Sequence, residues 1–504
     1  MDVKTLKRLI LVILACMLVA GAGLLYYGSI ARPGADAELL KASAGLNWYR
    51  IAAVFDPEQA KLSCTQTVEY RNNHDVKFDR LYFHLYPNAF RDEKRVPFFA
   101  EEKQRAYPNG FSPGWLDIEQ VMVNGNPVEF NIGGYSGDIL SIVLETPLKP
   151  GQMAKINMVY TVKLPNCIGR FGYGQHTFNV TNWYPIACVY DHTGWNIDPY
   201  YPVGDPFYSD AANYQVKIEA PSGYTIAATG KAINVKAEGD YKVWEFKALA
   251  VRDFAWIASR DFEVVSRSVD GITVYSYFLP DSRGGGEKAL DCAAAAIEIF
   301  NRRFGRYPYS HLAVVQSDFF VGGMEYPCLV MIDQSLYGRD QQWLEYVTVH
   351  ETAHQWWYAV VGNDQIDEAW LDEALTEYST ILYYENRYGE DVGKEVYDNV
   401  IVNGKCSYLQ KYHVQGLEHT IDQPVYRFTD WLTYDLVVYG KGASLFNDLR
   451  QAAGHQKFYG ILQRYYEDNK FKNATAAQLI KACEEVTGKS WKDFFEKRLK
   501  SLNW

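Results

Sequence analysis

Between residues 46 and 265 apolar and polar residues alternate in short runs, and Gly, Pro, Asn and Asp separate the runs. A period of two predicts strands. Residues 61–70 alternate and are rich in β-branched side chains. Residues 121–132 carry Asn124-Gly125 between two apolar runs, a hairpin signature. Residues 139–164 break at Pro150-Gly151 into two strands, and 214–220, 224–228 and 241–248 continue the series. Many short strands between turn residues predict stacked antiparallel sheets. Residues 271–280 add a strand that belongs to the next domain, followed by Gly284-Gly285-Gly286, read as a flexible turn. Residues 312–316 form a further apolar strand, and 322–326 a loop or edge strand. Elsewhere beyond 286 the apolar residues recur every three or four positions. This predicts helices over 287–304, 341–361, 367–388, 392–410, 440–453, 457–469, 475–486 and 491–501. Gly362 and Gly389 are placed as helix stops, and Thr475 caps its helix with Gln478 three residues on.

The amino terminus is different. Residues 9–27 are 19 positions without a charge, preceded by Lys4, Lys7 and Arg8. A helix of about that length nearly spans a bilayer core of about 30 Å. The basic residues on the leading side orient it with a short cytoplasmic terminus and everything beyond residue 30 outside. The chain is therefore divided into a transmembrane signal-anchor (1–30), a juxtamembrane linker (31–45), an N-terminal β domain (46–265) and a second domain (266–504) of mixed sheet plus helices, in an α+β fold. The expected location is the cell membrane, single-pass, in contact with the lipid bilayer through residues 9–27. A cleaved signal peptide and lipidation at Cys16 are the rival readings, the latter disfavoured because apolar sequence continues well past it. Eight cysteines are scattered without a C-x-x-C pair, and a disulfide framework is not expected. The net charge of -11 argues against nucleic acid as a partner and suits cationic peptide amino termini.

Chemistry concentrates at His350-Glu351-Thr352-Ala353-His354. On a helix, positions four apart lie on one face, about 40° from each other. Two imidazoles can then address one ion, with Glu351 beside the first as a general base for a water on it. Eighteen residues separate His354 from Glu373, in a second helical pattern. A carboxylate there completes a His, His, Glu set and leaves a fourth position open.

His350 to Trp356 (HETAHQW), Trp370 to Glu373 (WLDE), Gly322-Gly323-Met324-Glu325-Tyr326 (GGMEY) and Tyr439 to Gly442 (YGKG) resemble, in order and spacing, the aminopeptidase N family of zinc peptidases. The likeness is close over 322–442, looser from about 180 to 500 and thin before that. It implies a thermolysin-like catalytic domain, one Zn2+ per chain held by His350, His354 and Glu373, and removal of N-terminal residues from peptides by a zinc-bound water. It implies Glu351 as base, Tyr439 as the hydroxyl aimed at the tetrahedral oxygen, and Glu325 as the group that binds a free α-amine. Gly322, Gly323 and Met324 complete the substrate-binding strand. Two positions depart from the family: Tyr326 replaces the commoner Asn, and Asp372 replaces the Asn before the zinc Glu. The large family members continue into further C-terminal domains, so a shorter form with a more open cleft is expected. Two other classes stay open: a zinc endopeptidase or other zinc hydrolase on the same scaffold, and a membrane-anchored peptide-binding protein without activity.

Overall fold

The computed structural model describes residues 33–338, 341–413 and 419–501. The apolar segment 9–27 lies outside the described residues; among those, no helix is long and apolar enough to cross a membrane. Most of the expected linker is ordered. Pro33–Ser43 is a helix that touches both halves: Lys470 pairs with Glu38 at 2.8 Å, and Asn213 Nδ2 donates to the Ser43 carbonyl at 2.9 Å.

The first half is built on an eight-stranded sheet. Its order is Lys231–Glu238, Tyr241–Val251, Ala212–Pro221, Trp48–Asp56, Lys61–Arg71, Met153–Lys163, Trp115–Val123 and Asn126–Pro127. Every neighbouring pair is antiparallel except Trp48–Asp56 with Ala212–Pro221, which runs parallel. The alternation read in the sequence sets the two faces: Ile51, Ala53 and Phe55 are buried, Ala52 and Val54 exposed. The buried face meets two four-stranded sheets. Phe55 packs edge-on against Phe178 and Trp256 of one, and the Tyr49 hydroxyl accepts the Ala187 N–H of the other at 3.1 Å.

Asn124-Gly125 makes its hairpin, with Val123 opposite Asn126 and positive φ at both turn residues. Pro150-Gly151 divides two strands, as expected, but they lie in different sheets. Ile139–Leu148 pairs with Phe78–His84, whereas Met153–Lys163 pairs with Lys61–Arg71 in the large sheet. The turn passes from one layer to the other, which the same alternation permits equally well.

The second half begins at Glu263, ahead of the expected boundary at 266. Its mixed five-stranded sheet has the order Glu263–Val269, Ile272–Phe278, His311–Ser317, Leu329–Asp333, Gly323–Met324. The three inner strands are parallel, and Gly323–Met324 is an antiparallel edge. Arg283–Arg303 is a helix that takes in the three glycines. They are no flexible turn: a Cβ on Gly286 would lie 2.1 Å from the Phe278 ring, and one on Gly285 2.7 Å from the Tyr337 carbonyl. The helix start packs too closely for side chains there.

The expected helix 341–361 stops at Ala353. Gly362 is not its stop but makes room for Arg252, whose Cζ would stand 2.0 Å from a Cβ at that position. Arg252 is 1 % exposed and donates to the carbonyls of Tyr358, Ser209 and Lys472, joining the two halves. Trp370–Tyr388 is the second long helix, closed by Gly389 at φ +105°. Wide π-type turns at Tyr397–Cys406 and Asp435–Lys441 interrupt the remaining helices. The seven described cysteines are all buried and free.

Candidate active site

His350 lies in the last turn of Gln341–Ala353, and His354 just beyond it. The His354 N–H still donates to the His350 carbonyl at 3.2 Å, so the helical offset between them survives. Glu373 enters from the first turn of Trp370–Tyr388. His350 Nε2 and His354 Nε2 are 3.2 Å apart, and Glu373 Oε2 stands 3.4 and 3.1 Å from them.

The outer nitrogens decide what faces inward. His354 Nδ1 meets the Trp357 carbonyl at 3.0 Å, and His350 Nδ1 meets Glu377 Oε2 at 3.0 Å. Both partners are acceptors, so each Nδ1 carries the hydrogen and each Nε2 turns a lone pair inward. Two lone pairs and a carboxylate oxygen at that spacing repel unless a cation lies between them. Three ligands at about 2.0–2.1 Å from a tetrahedral zinc stand about 3.3–3.4 Å apart, close to what is observed. Against burial, Glu373 and Glu377 hold His350 up at about 9, and Glu373 with Glu325 holds His354 well above its ordinary range. Glu373 itself, against burial, is held far below the carboxylate range by the two histidines. The pocket thus favours positive charge, as protons or as one divalent cation. A second group, Glu325, Glu351 and His354, has ligand atoms within 4.8 Å of one another. The first set is tighter, and Glu377 orients one of its imidazoles from behind.

Glu351 is 5 % exposed; burial pushes it up to about 8, opposed by His350 and His354. It lies against the edge strand, where a Cβ on Gly323 would fall 2.1 Å from its Oε1. On the same segment Glu325 is buried, with Oε1 accepting from Gln365 Nε2 at 3.4 Å, and burial raises its pKa. Gly322 turns the chain at φ +89°. Met324 points at the first half, its Sδ 3.1 Å from Arg170 Nε. Tyr326 points away from the site, into the core, and donates to Asn182 Oδ1 at 3.0 Å. Asp372 is accommodated by two amides, Asn363 Nδ2 at 3.2 Å and Gln365 Nε2 at 2.7 Å. The Tyr439 ring stands 5.7 Å from the His350 ring, in the cavity that Glu373 also lines. Burial, reinforced by Glu373, keeps the Tyr439 hydroxyl protonated.

Gly322, Gly323, Glu325, His350, Glu351, His354, Glu373 and Tyr439 line one cavity of about 260 Å³, together with residues that sequence reasoning missed; Met324, expected beside the substrate, is not among its lining. Arg170 and Asp205 pair at 2.5 Å and enter from the first half. Lys405 and Asp435 pair beside Tyr439, and Trp343, Val347 and Val400 add an apolar wall. Glu377 has a readable signal, four positions after Glu373 on one helix face; the others have none. A larger cleft of about 800 Å³ lies elsewhere at the junction of the halves, between Asp191, Asp210 and Asp364, and includes none of the metal-facing residues.

Residues 288–498 match the Peptidase family M1 domain. Aminopeptidase N of Lactococcus lactis subsp. lactis is 24 % identical over 417 residues, 75 % of this chain and 48 % of that protein. Endoplasmic reticulum aminopeptidase 2 of Homo sapiens is 24 % identical over 278 residues, 52 % of this chain and 28 % of that protein. The chain spans half or less of the length of these curated relatives. Among solved structures, an M1 zinc metallopeptidase from Deinococcus radiodurans superposes with a TM-score of 0.61 at 15 % identity, covering 91 % of this chain and 94 % of that one. A mutant of the same protein, bound to a Tyr-Ser-Ala substrate, gives 0.60 at 14 % identity, covering 91 % and 94 %. The fold is that of these M1 enzymes, an N-terminal β-rich part followed by a mixed and then helical part. Residues 288–498 thus resemble the Peptidase family M1 domain, and the chain as a whole is similar to aminopeptidases that carry it.

Proposed function

We propose that this protein is a zinc-dependent aminopeptidase with a thermolysin-like catalytic half. The observation that carries this is the convergence of two Nε2 lone pairs and Glu373 Oε2 at 3.1–3.4 Å, with the Glu325 carboxylate just beyond the edge strand Gly323–Met324 in the same cavity. His350, His354 and Glu373 would hold the ion. A bound zinc supplies Lewis acidity toward a carbonyl oxygen and lowers the pKa of water to about 7.

The chain's own groups do the rest. Gly322–Met324 offers an unpaired strand edge along which a peptide backbone lies. Glu325 pairs with the α-ammonium through charge-assisted hydrogen bonds and fixes the first peptide bond beside the imidazoles. Glu351, buried and near neutrality in pKa, takes the proton of the attacking water and returns it to the leaving amine. The Tyr439 hydroxyl donates to the oxygen on which negative charge develops. The aminopeptidase names of the relatives support the same reading. Metal analysis with chelation tests it: about one zinc per chain, with activity lost to a chelator and restored by zinc. Full activity in metal-free protein would refute it.

The same proposal holds the protein at a membrane through residues 9–27, with the catalytic half on the outer side. Protease shielding in intact cells tests this; a catalytic half found inside the cytoplasm would contradict it.

A further inference from the structure

Behind the metal-facing imidazole runs a chain of alternating charge. His350 Nδ1 donates to Glu377 Oε2 at 3.0 Å. The other oxygen of that carboxylate, Oε1, stands 3.8 Å from Lys405 Nζ. Lys405 Nζ in turn donates to Asp435 Oδ1. Its ammonium also stands 5.2 Å from the centre of the Tyr439 ring, within cation–π range. The Lys405 side chain is 17 % exposed, and it lines the cavity.

The backbone makes this meeting possible. Lys405 lies in the wide turn Tyr397–Cys406, and Asp435 opens the wide turn Asp435–Lys441 that carries Tyr439. Wide turns of this type gather at functional sites. The two turns touch at Gly440, where a Cβ would lie 2.7 Å from Lys405 Cβ. The main chain beside Tyr439 therefore rests on the Lys405 side chain.

We propose that Lys405 is the positioning residue of this site, a cation that fixes the His350 imidazole through Glu377 and the Tyr439 phenol through Asp435 and the ring contact. Its effect on the metal stands on geometry alone; its effect on turnover rests on the aminopeptidase reading above. Without the ammonium, Glu377 and Asp435 would be two carboxylates facing each other with their shared cation gone. Truncating one partner of a buried pair leaves the others uncompensated. Glu377 would then turn away, and His350 would lose its acceptor. The Tyr439 turn would lose its anchor, and a shift of about 1 Å at a reacting group costs about a hundredfold.

Three variants test this: Lys405→Met, which keeps length and removes charge; Lys405→Arg, which keeps the charge; and Asp435→Asn. Zinc affinity is read by competition with a chromogenic chelator. The constants kcat and KM are read separately on a free-amine peptide at saturating zinc. Lys405→Met is expected to weaken zinc by about 10–100-fold, the range found when groups behind a ligand are removed. It should also lower kcat by about a hundredfold with KM little changed. Lys405→Arg should restore zinc affinity, because Glu377 keeps a cation. Asp435→Asn should lower kcat with zinc affinity near wild type, since the Tyr439 turn loses its anchor while Glu377 keeps the Lys405 ammonium. A purely structural role predicts equal losses of melting temperature in the Met and Arg variants with wild-type zinc affinity and kcat per folded molecule; that result overturns the proposal. Should Lys405→Met fail to fold, Asp435→Asn decides, and a wild-type kcat there overturns it. Should the wild type cleave no peptide, the aminopeptidase reading fails, while zinc affinity in the Lys405 variants still decides whether Lys405 positions His350.

Discussion

The two glycines of the edge strand are required for different reasons, and one substitution separates them. A Cβ at Gly323 would lie 2.1 Å from Glu351 Oε1, 2.4 Å from its Cδ and 2.5 Å from its Cγ. Ordinary contact needs about 3.5 Å, so Glu351 must retreat by more than about 1 Å. Rotating the carboxylate does not relieve the clash, because Cγ is also too close. Gly323 has no left-handed backbone, so the fold itself tolerates alanine. A base displaced by about 1 Å loses about a hundredfold in rate. Gly323→Ala should therefore lower kcat by about a hundredfold, with zinc content and melting temperature near wild type. Gly322 is the control. It sits at φ +89° with nothing within 4 Å of a Cβ. Gly322→Ala should cost about 1–2 kcal/mol of stability through backbone strain and, since it lies along the substrate but not against Glu351, act on KM rather than kcat. Steady-state kinetics with thermal melts and metal analysis on both variants gives the answer. A wild-type kcat in Gly323→Ala, or an equal loss in Gly322→Ala, would refute the steric reasoning.

Two further outcomes are expected. Glu351→Gln should keep about one zinc per chain while the rate falls by at least about a hundredfold, the lower end of general-base contributions; near-normal turnover would remove Glu351 from the role of base. Stability should also fall in acid, because burial holds His84 and His311 down at about 4 in the folded chain against 6.5 ordinarily. The unfolded chain then binds more protons between those limits, so the contribution is fully present above pH 6.5 and is lost as pH falls toward 4. Each histidine is worth about 3 kcal/mol over that window. Denaturant unfolding at steps across that range checks it, and a flat profile, or one unchanged in a His84→Gln variant, would contradict it.

What is legible in the sequence follows from distance along the chain. His350, Glu351 and His354 lie within one helical turn, so the 3.6-residue period alone brings them together. Glu373 is reachable because it repeats the logic on the next helix. Arg170 and Asp205 are not, since they reach the cleft through the docking of the two halves. Lys405 and Asp435 lie thirty positions apart in two irregular turns, and no periodicity links them. The departures have the same origin. The expected helix 341–361 overruns Ala353 because the apolar residues Trp356, Trp357 and Val360 continue past the turn as core. Gly284 to Gly286 resembles a turn because composition does not show that Phe278 and Tyr337 press against the helix. The break at Pro150-Gly151 is read correctly, and only the sheet that each strand joins lies beyond what alternation shows.

Reading of the substrate amine by Glu325 is tested most directly by matched peptides that differ only in N-terminal acetylation. Glu325 is 3 % exposed beside His354, Gln365 and Arg170, so a charge-assisted pair there is largely desolvated. Losing such a pair typically costs about 2–4 kcal/mol. Steady-state kinetics should therefore show cleavage of the free peptide alone, with kcat/KM for it falling by that amount in Glu325→Gln at unchanged zinc content. Equal cleavage of the acetylated and free peptides by the wild type would contradict the aminopeptidase assignment.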